Sequence, residues 1–384
     1  MKKGENAMNF SELDNLLEKL PDMGIFAGDF VVTKDNEVIY RKAVGFSDYE
    51  NTKPINDKNI YWCFSATKVI TCTMALRLVE EGRLDLDAPV SDYLPEYADI
   101  FVKRADGTIS KAERAMKVRH LFSMSSGLDY NFRTGSVSKY LNENPHASTR
   151  EVVKQFVKVP LNFEPGTNFL YSLSHDVLAA ICEVVTGMRF SDYLETYLFK
   201  PLGMTDTGFR PTEEQKTRFV AMHRYRVGLA KADDIPIENV YALTDDYDSG
   251  GAGLFSTASD YSKFISTLAA GGVSANGYRL LKPETIALMQ KNELTDDGIM
   301  SFATNRLFGY GWGLCGRVHM NSTVSLSLSP VGEFGWDGAA GAFVMADPKN
   351  KISVFFAMHT LGCVYAYNVL HPLMRNLVYE AIKS

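Results

Sequence analysis

Strand-like segments lie at both ends of this chain, and their distribution limits its possible folds more than any other feature. Residues 25–33 and 37–45 are rich in β-branched and aromatic residues, and the polar residues 34–36 between them predict a β-hairpin. From about residue 84 to about residue 216 the pattern is instead helical and rich in loops, with prolines as punctuation. A single sheet would therefore be assembled from both ends of the chain, with the helical part inserted between its strands.

The C-terminal third of the chain supplies the other predicted strands, which are short apolar runs bounded by turn residues. These strands are residues 302–304, 310–314, 342–346 and 352–358. Residues 347–350 predict a tight turn that joins the last two strands into an antiparallel hairpin.

Apolar helices complete the pattern. The segment 66–82 is apolar nearly all round and ends at Gly82, which predicts a buried helix with a glycine cap. Further helices are expected over 177–185 and 365–382. We predict an α+β fold in which helices flank a central antiparallel sheet.

The predicted domains follow from this order of elements. Residues 1–83 plus 217–384 would form the sheet domain, and residues 84–216 would form a mainly helical domain inserted into it. A crevice between two such parts is the usual place for an active site.

Composition excludes several classes of function. The net charge of -6 and the pI of about 5.7 come without a basic tract, which argues against nucleic-acid binding. No apolar stretch is long enough to span a membrane. Two lysines near the N-terminus are followed by no apolar run, so we expect a short tail and an amphipathic helix there, not a signal peptide. A cytoplasmic location is the expected default.

Cysteine and histidine spacing predicts neither disulfides nor metal sites. The five cysteines, at 63, 72, 182, 315 and 363, form no C-x-x-C pair, so buried free thiols are expected. The seven histidines show no metal-ligand spacing. We therefore expect no metal and no cofactor.

Ser65-Ala-Thr-Lys68, at the start of the predicted buried helix, is the first candidate for chemistry. Residues three apart share a helix face, so the lysine amine can reach the serine hydroxyl. Burial disfavours the ammonium and makes Lys68 a plausible base. An N-terminal capping serine with a nearby lysine is an alternative of similar weight. A second S-x-x-K, from Ser136 to Lys139, lies in a polar segment and is interpreted as chance.

Two later elements could complete a site. Residues 165–173 form a turn that delivers Tyr171 just before an apolar helix, and a tyrosine near a lysine can serve as a base or proton relay. Residues 334–341 are rich in glycine and lead into an apolar strand, where the backbone could approach a substrate. Taken singly, each could equally be structural: a core tyrosine, and a glycine hairpin packed on Trp336.

In this order, the three elements are the pattern of penicillin-recognising serine enzymes. The chain resembles class C β-lactamases and the related family VIII carboxylesterases over nearly its whole length. Further segments are similar to family signatures, namely residues 78–95, 118–128, 164–167 and 249–257. The resemblance implies a β-lactamase/transpeptidase-like fold.

The resemblance also implies roles for individual residues. Ser65 would be the nucleophile of an acyl-enzyme, with Lys68 and Tyr171 handling its proton, and which of the two is the base stays open. The N–H groups of Ser65 and Ala339 would hold the oxyanion. Residues 336–338 (Trp336, Asp337 and Gly338) would contact the substrate.

Departures from the family bear on the substrate. Leu173 stands where β-lactamases have an asparagine that helps to hold the substrate and the catalytic lysine. Trp336-Asp337-Gly338 replaces their Lys-Thr-Gly and resembles the Trp-x-Gly of the esterases. A neutral ester, or an amide whose acyl group carries an amine, is therefore favoured. Asp337 could bind such an amine, but capping a turn is the favoured interpretation.

The expected function is a serine hydrolase of small esters, similar to carboxylesterases. β-Lactamase or D-amino-acid amidase and D-peptidase activity are alternatives within the family, and a non-catalytic sensor is an alternative from another class. A Ser-His-Asp hydrolase of the α/β-hydrolase fold is disfavoured because no G-x-S-x-G occurs. His175 and Cys63 have no expected role. The acyl acceptor and the oligomeric state stay open.

Overall fold

The computed structural model describes residues 8–131, 135–227, 231–303 and 307–383. It has a seven-stranded antiparallel sheet, and the predicted α+β class with a central antiparallel sheet is confirmed. The strands are β1 (Ala27–Lys34), β2 (Glu37–Gly45), β3 (Ile60–Trp62), β4 (Phe101–Lys103), β5 (Ile109–Lys111), β6 (Met222–Arg226), β7 (Lys231–Ile235), β8 (Phe255–Thr257), β9 (Tyr310–Trp312), β10 (Arg317–His319), β11 (Phe334–Gly335), β12 (Phe343–Asp347), β13 (Ile352–Met358) and β14 (Thr360–Leu361).

The order of the main sheet is β2-β1-β13-β12-β11-β10-β9, so strands from the two ends of the chain meet where β1 pairs with β13. The pairing of β1 with β13 runs from Gly28 opposite Met358 to Lys34 opposite Ile352. Smaller sheets pair β3 with β8, β4 with β5, and β6 with β7 and β14.

Helices surround the sheet and fill the middle of the chain. The α-helices are α1 (Ser11–Glu18), α2 (Thr67–Glu80), α3 (Val118–Phe122), α4 (Gly135–Glu143), α5 (Thr149–Phe156), α6 (Ser174–Thr186), α7 (Phe190–Leu194), α8 (Lys200–Leu202), α9 (Glu213–Lys216), α10 (Ala258–Ala269), α11 (Pro283–Met289), α12 (Asp296–Ala303), α13 (Ser322–Ser325) and α14 (His371–Lys383). Short 3₁₀ turns span Pro21–Met23, Phe64–Ala66, Val90–Asp92 and Pro95–Ala98, and π-helical turns span Glu195–Phe199 and Ala366–Leu370.

Both faces of the sheet are covered, which explains why β1 and β13 are buried along nearly their whole length. Val31 and Phe355 face the core that contains α2 and α10, and Tyr261 of α10 stacks on Phe355 with ring centroids 4.1 Å apart. Phe30 and Phe356 face the opposite core, which contains α1 and α14. Because side chains alternate along a strand, each strand contributes to both cores.

One predicted strand is wrong. Phe302 belongs to α12, and Thr304 lies outside the described residues. A short apolar run does not distinguish a buried strand from a buried helix, and Asp296 and Asp297 in the first turn favour the helix. Phe302 packs edge-on against Trp312, with ring centroids 5.9 Å apart.

Other predictions hold closely. Gly82 follows α2 with φ of 69°, the left-handed conformation that glycine adopts readily after a helix. The N-terminal amphipathic helix is α1, whereas the predicted tail, residues 1–7, lies outside the described residues. All five cysteines are free and buried. Among the described residues, no helix has the length and apolar character needed to cross a membrane. The domain boundaries stay a prediction.

The central position of α2 predicts the cost of changing its core side chains. Met74 in α2 is fully buried, whereas Met300 in α12 is 70% exposed. Met74→Ala leaves a cavity and should lower the free energy of unfolding by about 2–5 kcal/mol. The matched variant Met300→Ala should change it by less than about 0.5 kcal/mol. Urea unfolding followed by circular dichroism measures both, and equal effects would contradict the burial of α2.

Candidate active site

Ser65 lies in the 3₁₀ turn Phe64–Ala66, directly before α2. Phe64 has φ of 45°, a left-handed conformation that is strained for a bulky residue. The turn is fixed by two buried hydrogen bonds, from Tyr261 Oη to Ala66 O at 2.7 Å and from Cys63 N to Leu254 O at 2.9 Å. Ser65 is thus half-buried at the positive end of a helix, where a developing negative charge is stabilised.

Lys68 is fully buried one turn further along α2. Its Nζ donates to Ser65 Oγ at 3.2 Å, to Tyr130 Oη at 3.0 Å and to Gly251 O at 2.7 Å. Burial lowers the pKa of Lys68 to about 8, against the opposing effect of the Asp176 carboxylate. At pH 7 about a tenth of this amine is therefore neutral, far more than for an exposed lysine, while it remains in hydrogen-bond contact with Ser65.

Tyr171 closes the site on the other side of the lysine. Lys68 Nζ lies 4.6 Å from the centroid of the Tyr171 ring, and Trp336 Nε1 donates to Tyr171 Oη at 2.8 Å. Burial raises the pKa of Tyr171, although hydrogen bonds with Ser65, Trp336 and Tyr130 act in the opposite direction. Tyr171 is therefore a neutral phenol in the pH range where Lys68 titrates.

Tyr130 is a member of this cluster that the sequence analysis missed. It follows α3 in a loop, its hydroxyl accepts from Lys68, and its ring centroid lies 5.7 Å from that of Tyr171. Nothing in the local pattern separates Tyr130 from the other tyrosines of the chain. Its position just after the segment 118–128, which is similar to a family signature, is the sequence feature that could have indicated a role for Tyr130.

The glycine-rich segment lies beside Ser65. A β-carbon on Gly338 would come within 2.5 Å of Cys63 O, so only glycine fits where this segment meets the turn before Ser65. Gly341 N donates to Gly338 O at 2.8 Å, which closes a tight turn around Ala339. Tyr367 Oη lies 2.8 Å from both Gly338 O and Ala339 O and so fixes the turn from the C-terminal region.

Asp337 does not have the turn-capping role that the sequence favoured. Its Oδ1 accepts from Arg317 at 3.2 Å and lies 3.4 Å from His371 Nδ1. Burial raises the pKa of Asp337, but Arg317 and His371 outweigh burial and hold it below the ordinary value. Arg317 also pairs with buried Glu333 at 3.3 Å, so these charges compensate one another. The sequence gave no indication of the Arg317–Asp337 pair, because the two residues are twenty positions apart in the chain.

These residues line one cleft of about 630 Å³. Ser65, Tyr171, Trp336, Asp337, Gly338 and Ala339 are all among its lining residues, whereas Lys68 lies behind Ser65. The walls are mainly aromatic, and these aromatic residues include Tyr130, Phe169, Tyr171, Tyr241, Phe302 and Trp336. Residues from the predicted helical segment and from the sheet segments therefore face each other across the cleft.

The remaining candidates do not line the cleft. His175 is buried beside Phe122 O at 3.1 Å, and burial lowers its pKa to about 3. Lys139 of the second S-x-x-K is 75% exposed on α4 and pairs with Glu143. None of the seven histidines, all of them described, is hydrogen-bonded to Ser65. The main sheet is antiparallel, so the alternative of an α/β-hydrolase fold is wrong. Within the part of the chain that the structure describes, no acidic, histidine and cysteine side chains are grouped to hold a metal.

Comparisons with known proteins agree with this geometry. Residues 13–367 match the family described as Beta-lactamase. Protein Rv1367c of Mycobacterium tuberculosis is 27% identical over 361 residues, which cover 91% of this chain and 90% of that protein. Esterase EstB of Burkholderia gladioli is 28% identical over 355 residues, which cover 86% and 85%.

A solved structure supports the fold. EstCE1, described as a hydrolase with promiscuous acyltransferase activity, matches with a TM-score of 0.79 and 24% identity, covering 98% of both chains. The expected β-lactamase/transpeptidase-like fold is thereby confirmed. With the family match over most of its length, the chain belongs to the beta-lactamase family of hydrolases.

Proposed function

We propose that this protein is a serine hydrolase that cleaves small neutral esters through an acyl-enzyme on Ser65. The observation that carries the proposal is the 3.2 Å contact between Ser65 Oγ and Lys68 Nζ, because this lysine is buried and its pKa is near 8. A buried amine that can be neutral beside a serine hydroxyl is a competent base for nucleophilic catalysis. The resemblance to esterase EstB supports an ester as substrate.

In the proposed acylation step, Ser65 Oγ attacks the ester carbonyl while its proton passes to Lys68 Nζ. Lys68 is preferred to Tyr171 as the base because burial moves their pKa values in opposite directions, down for the amine and up for the phenol. Tyr171 then donates its proton to the leaving alcohol and recovers one from the Lys68 ammonium. The C–O bond to the alcohol breaks and an acyl-Ser65 ester remains.

Deacylation runs the same path in reverse. A water molecule attacks the acyl carbonyl and gives its proton to Tyr171, which passes one to Lys68, and Ser65 Oγ leaves with a proton from the lysine ammonium. In both steps the N–H groups of Ser65 and Ala339 would stabilise the oxyanion. Ala339 lies in the turn 338–341, whose Gly338 packs against Cys63 O two residues before Ser65, and Trp336 Nε1 donates to the Tyr171 hydroxyl.

The walls of the cleft favour a neutral acyl group. Arg317 is paired with both Glu333 and Asp337, so it offers no uncompensated positive charge to a carboxylate. The Asp337 side chain is 16% exposed, against 1% for Arg317, so the more accessible charge is negative. Nine of the twenty residues that line the cleft are Phe, Tyr or Trp, and these present large, uncharged ring surfaces.

Hydrolysis of amides with a free amino group is a second candidate, because the accessible Asp337 carboxylate could pair with an ammonium. Comparing turnover of a D-alanine nitroanilide with that of the matching nitroanilide of propionic acid tests it. Equal rates, or faster cleavage of the uncharged compound, would remove this candidate.

Replacing the nucleophile tests the proposal directly. Ser65→Ala should lower kcat for a short-chain nitrophenyl ester by at least about a thousandfold, because no other group can form the acyl-enzyme. Ser136→Ala, in the exposed second S-x-x-K on α4, is the matched control and should leave the rate unchanged. Equal turnover by wild type and Ser65→Ala would contradict the proposal.

The pH dependence follows from the state of Lys68. Below its pKa the side chain is an ammonium and cannot accept the Ser65 proton, and above it the amine can. The value of kcat/KM for a neutral ester should therefore rise with pH through an apparent pKa of about 8. A rate that is constant or falls from about pH 6 to about pH 9 would exclude neutral Lys68 as the base.

Substrate charge should matter in a predictable direction. The nitrophenyl monoester of succinic acid has nearly the size of the butyrate ester but carries a carboxylate near Asp337. Arg317 and Arg375 in the cleft are already paired with carboxylates, and Asp337 is the most exposed charge of that cluster, so its repulsion should lower kcat/KM by about tenfold or more relative to butyrate. Faster hydrolysis of the succinate would contradict the neutral-ester assignment.

A further inference from the structure

Asp176 is a buried carboxylate to which the reaction outlined above gives no role. It lies in the first turn of α6, five residues after Tyr171, and is 1% exposed. A carboxylate in the first turn of a helix is favoured by the helix dipole, but complete burial still carries a large desolvation cost. Burial raises the pKa of Asp176, and the hydrogen bond from Tyr247 and the nearby Lys68 act in the opposite direction.

Only one of the two carboxylate oxygens is satisfied by hydrogen bonds. Asp176 Oδ1 accepts from Tyr247 Oη at 2.6 Å, from Ser249 Oγ at 2.7 Å and from Gly251 N at 3.3 Å. Oδ2 is buried and has no hydrogen-bond partner among the described residues. An oxygen left in this state favours a nearby positive charge.

Gly251 connects this carboxylate with Lys68. Its N–H donates to Asp176 Oδ1 and its carbonyl accepts from Lys68 Nζ at 2.7 Å. A β-carbon placed on Gly251 would come within 2.5 Å of Asp176 Oδ2 and 3.4 Å of Lys68 Nζ. The unpartnered oxygen and the ammonium therefore border the same small space, which stays open because residue 251 is glycine.

Burial keeps several other titratable groups around the pair uncharged near neutral pH. Cys72 and His175 face Lys68, and burial raises the pKa of the thiol and lowers that of the imidazole to about 3. Tyr97, Tyr130 and Tyr247 lie around Asp176, and burial raises the pKa of each phenol.

Tyr171 and Tyr241 are the remaining titratable neighbours of Lys68. Burial raises the pKa of Tyr171. Among these groups, Asp176 is the carboxylate that can balance the Lys68 ammonium.

We infer that Asp176 is a positioning residue that holds Lys68 against Ser65 through Gly251 and supplies the buried counter-charge of its ammonium. The inference rests on the proposed function, in which Lys68 exchanges protons with Ser65. It also explains how the site tolerates Leu173, which stands where related β-lactamases have an asparagine beside the lysine. Asp176, three residues later in the chain, stabilises Lys68 in place of that asparagine.

The test is the titration of Lys68 in the resting protein, without substrate. With ¹³C-labelled lysine, the Cε resonance of Lys68, assigned by its loss in Lys68→Met, reports the protonation of Nζ. Asp176→Asn removes the charge at nearly constant shape, so the pKa of Lys68 should fall by about one unit or more. The rising limb of kcat/KM should move to lower pH by the same amount.

Asp347→Asn is the matched control. Asp347 is equally buried and accepts from Tyr379 Oη at 2.6 Å, but it lies on β12 away from the site. This variant should leave the Lys68 titration unchanged. The same Lys68 titration in wild type and Asp176→Asn would overturn the inference, as would an equal shift in Asp347→Asn.

A second variant keeps the inference falsifiable if Asp176→Asn does not fold. Tyr247→Phe removes one donor to Asp176 Oδ1 and should shift the Lys68 titration in the same direction by a smaller amount. An unchanged titration in that variant would then overturn the inference. Because the titration needs no turnover, failure of ester hydrolysis would reject only the proposed function.

Discussion

A lysine without access to solvent lies where distant segments of this chain meet, and its burial imposes strict conditions on them. The Lys68 ammonium needs acceptors in place of water, since an unsatisfied buried charge would cost several kcal/mol. Its three acceptors come from the turn before α2, from the loop after α3 and from the segment that precedes β8. The buried Lys68 ammonium is therefore stable only when these three segments keep these positions relative to one another.

Aromatic packing completes the enclosure. Trp336 crosses Trp312 with ring centroids 4.4 Å apart and lies 5.4 Å from Tyr171. Its indole N–H points to the Tyr171 hydroxyl, at the position where the resemblance to β-lactamases would place a substrate-binding lysine. In the proposed reaction, this indole serves the proton relay and leaves a neutral surface for the substrate. The Arg317–Asp337 pair adds little net charge to the cleft, and its more exposed member is the Asp337 carboxylate.

The sequence predicted the parts of this arrangement that depend on local spacing. Ser65 and Lys68 share a helix face because they are three residues apart, and the strands at both chain ends required one sheet. What it could not predict are contacts between residues far apart in the chain, such as Tyr130 with Lys68 and Arg317 with Asp337. Phe302 shows a different limit, since a short apolar run fits a strand and a helix equally well. The proposed role of Asp176 could not be predicted from the sequence either, because it depends on Gly251, which lies between Asp176 and Lys68 only in the folded chain.

Ser65 is the proposed nucleophile of this site, and covalent labelling detects its reactivity without any substrate. A fluorophosphonate, which reacts with activated serines, can be added to the native protein and the modified peptide identified by mass spectrometry. The account predicts a single label on Ser65 that is lost in Lys68→Ala, because the serine is then no longer activated. Labelling of another serine, or none at Ser65 in the folded wild type, would contradict it.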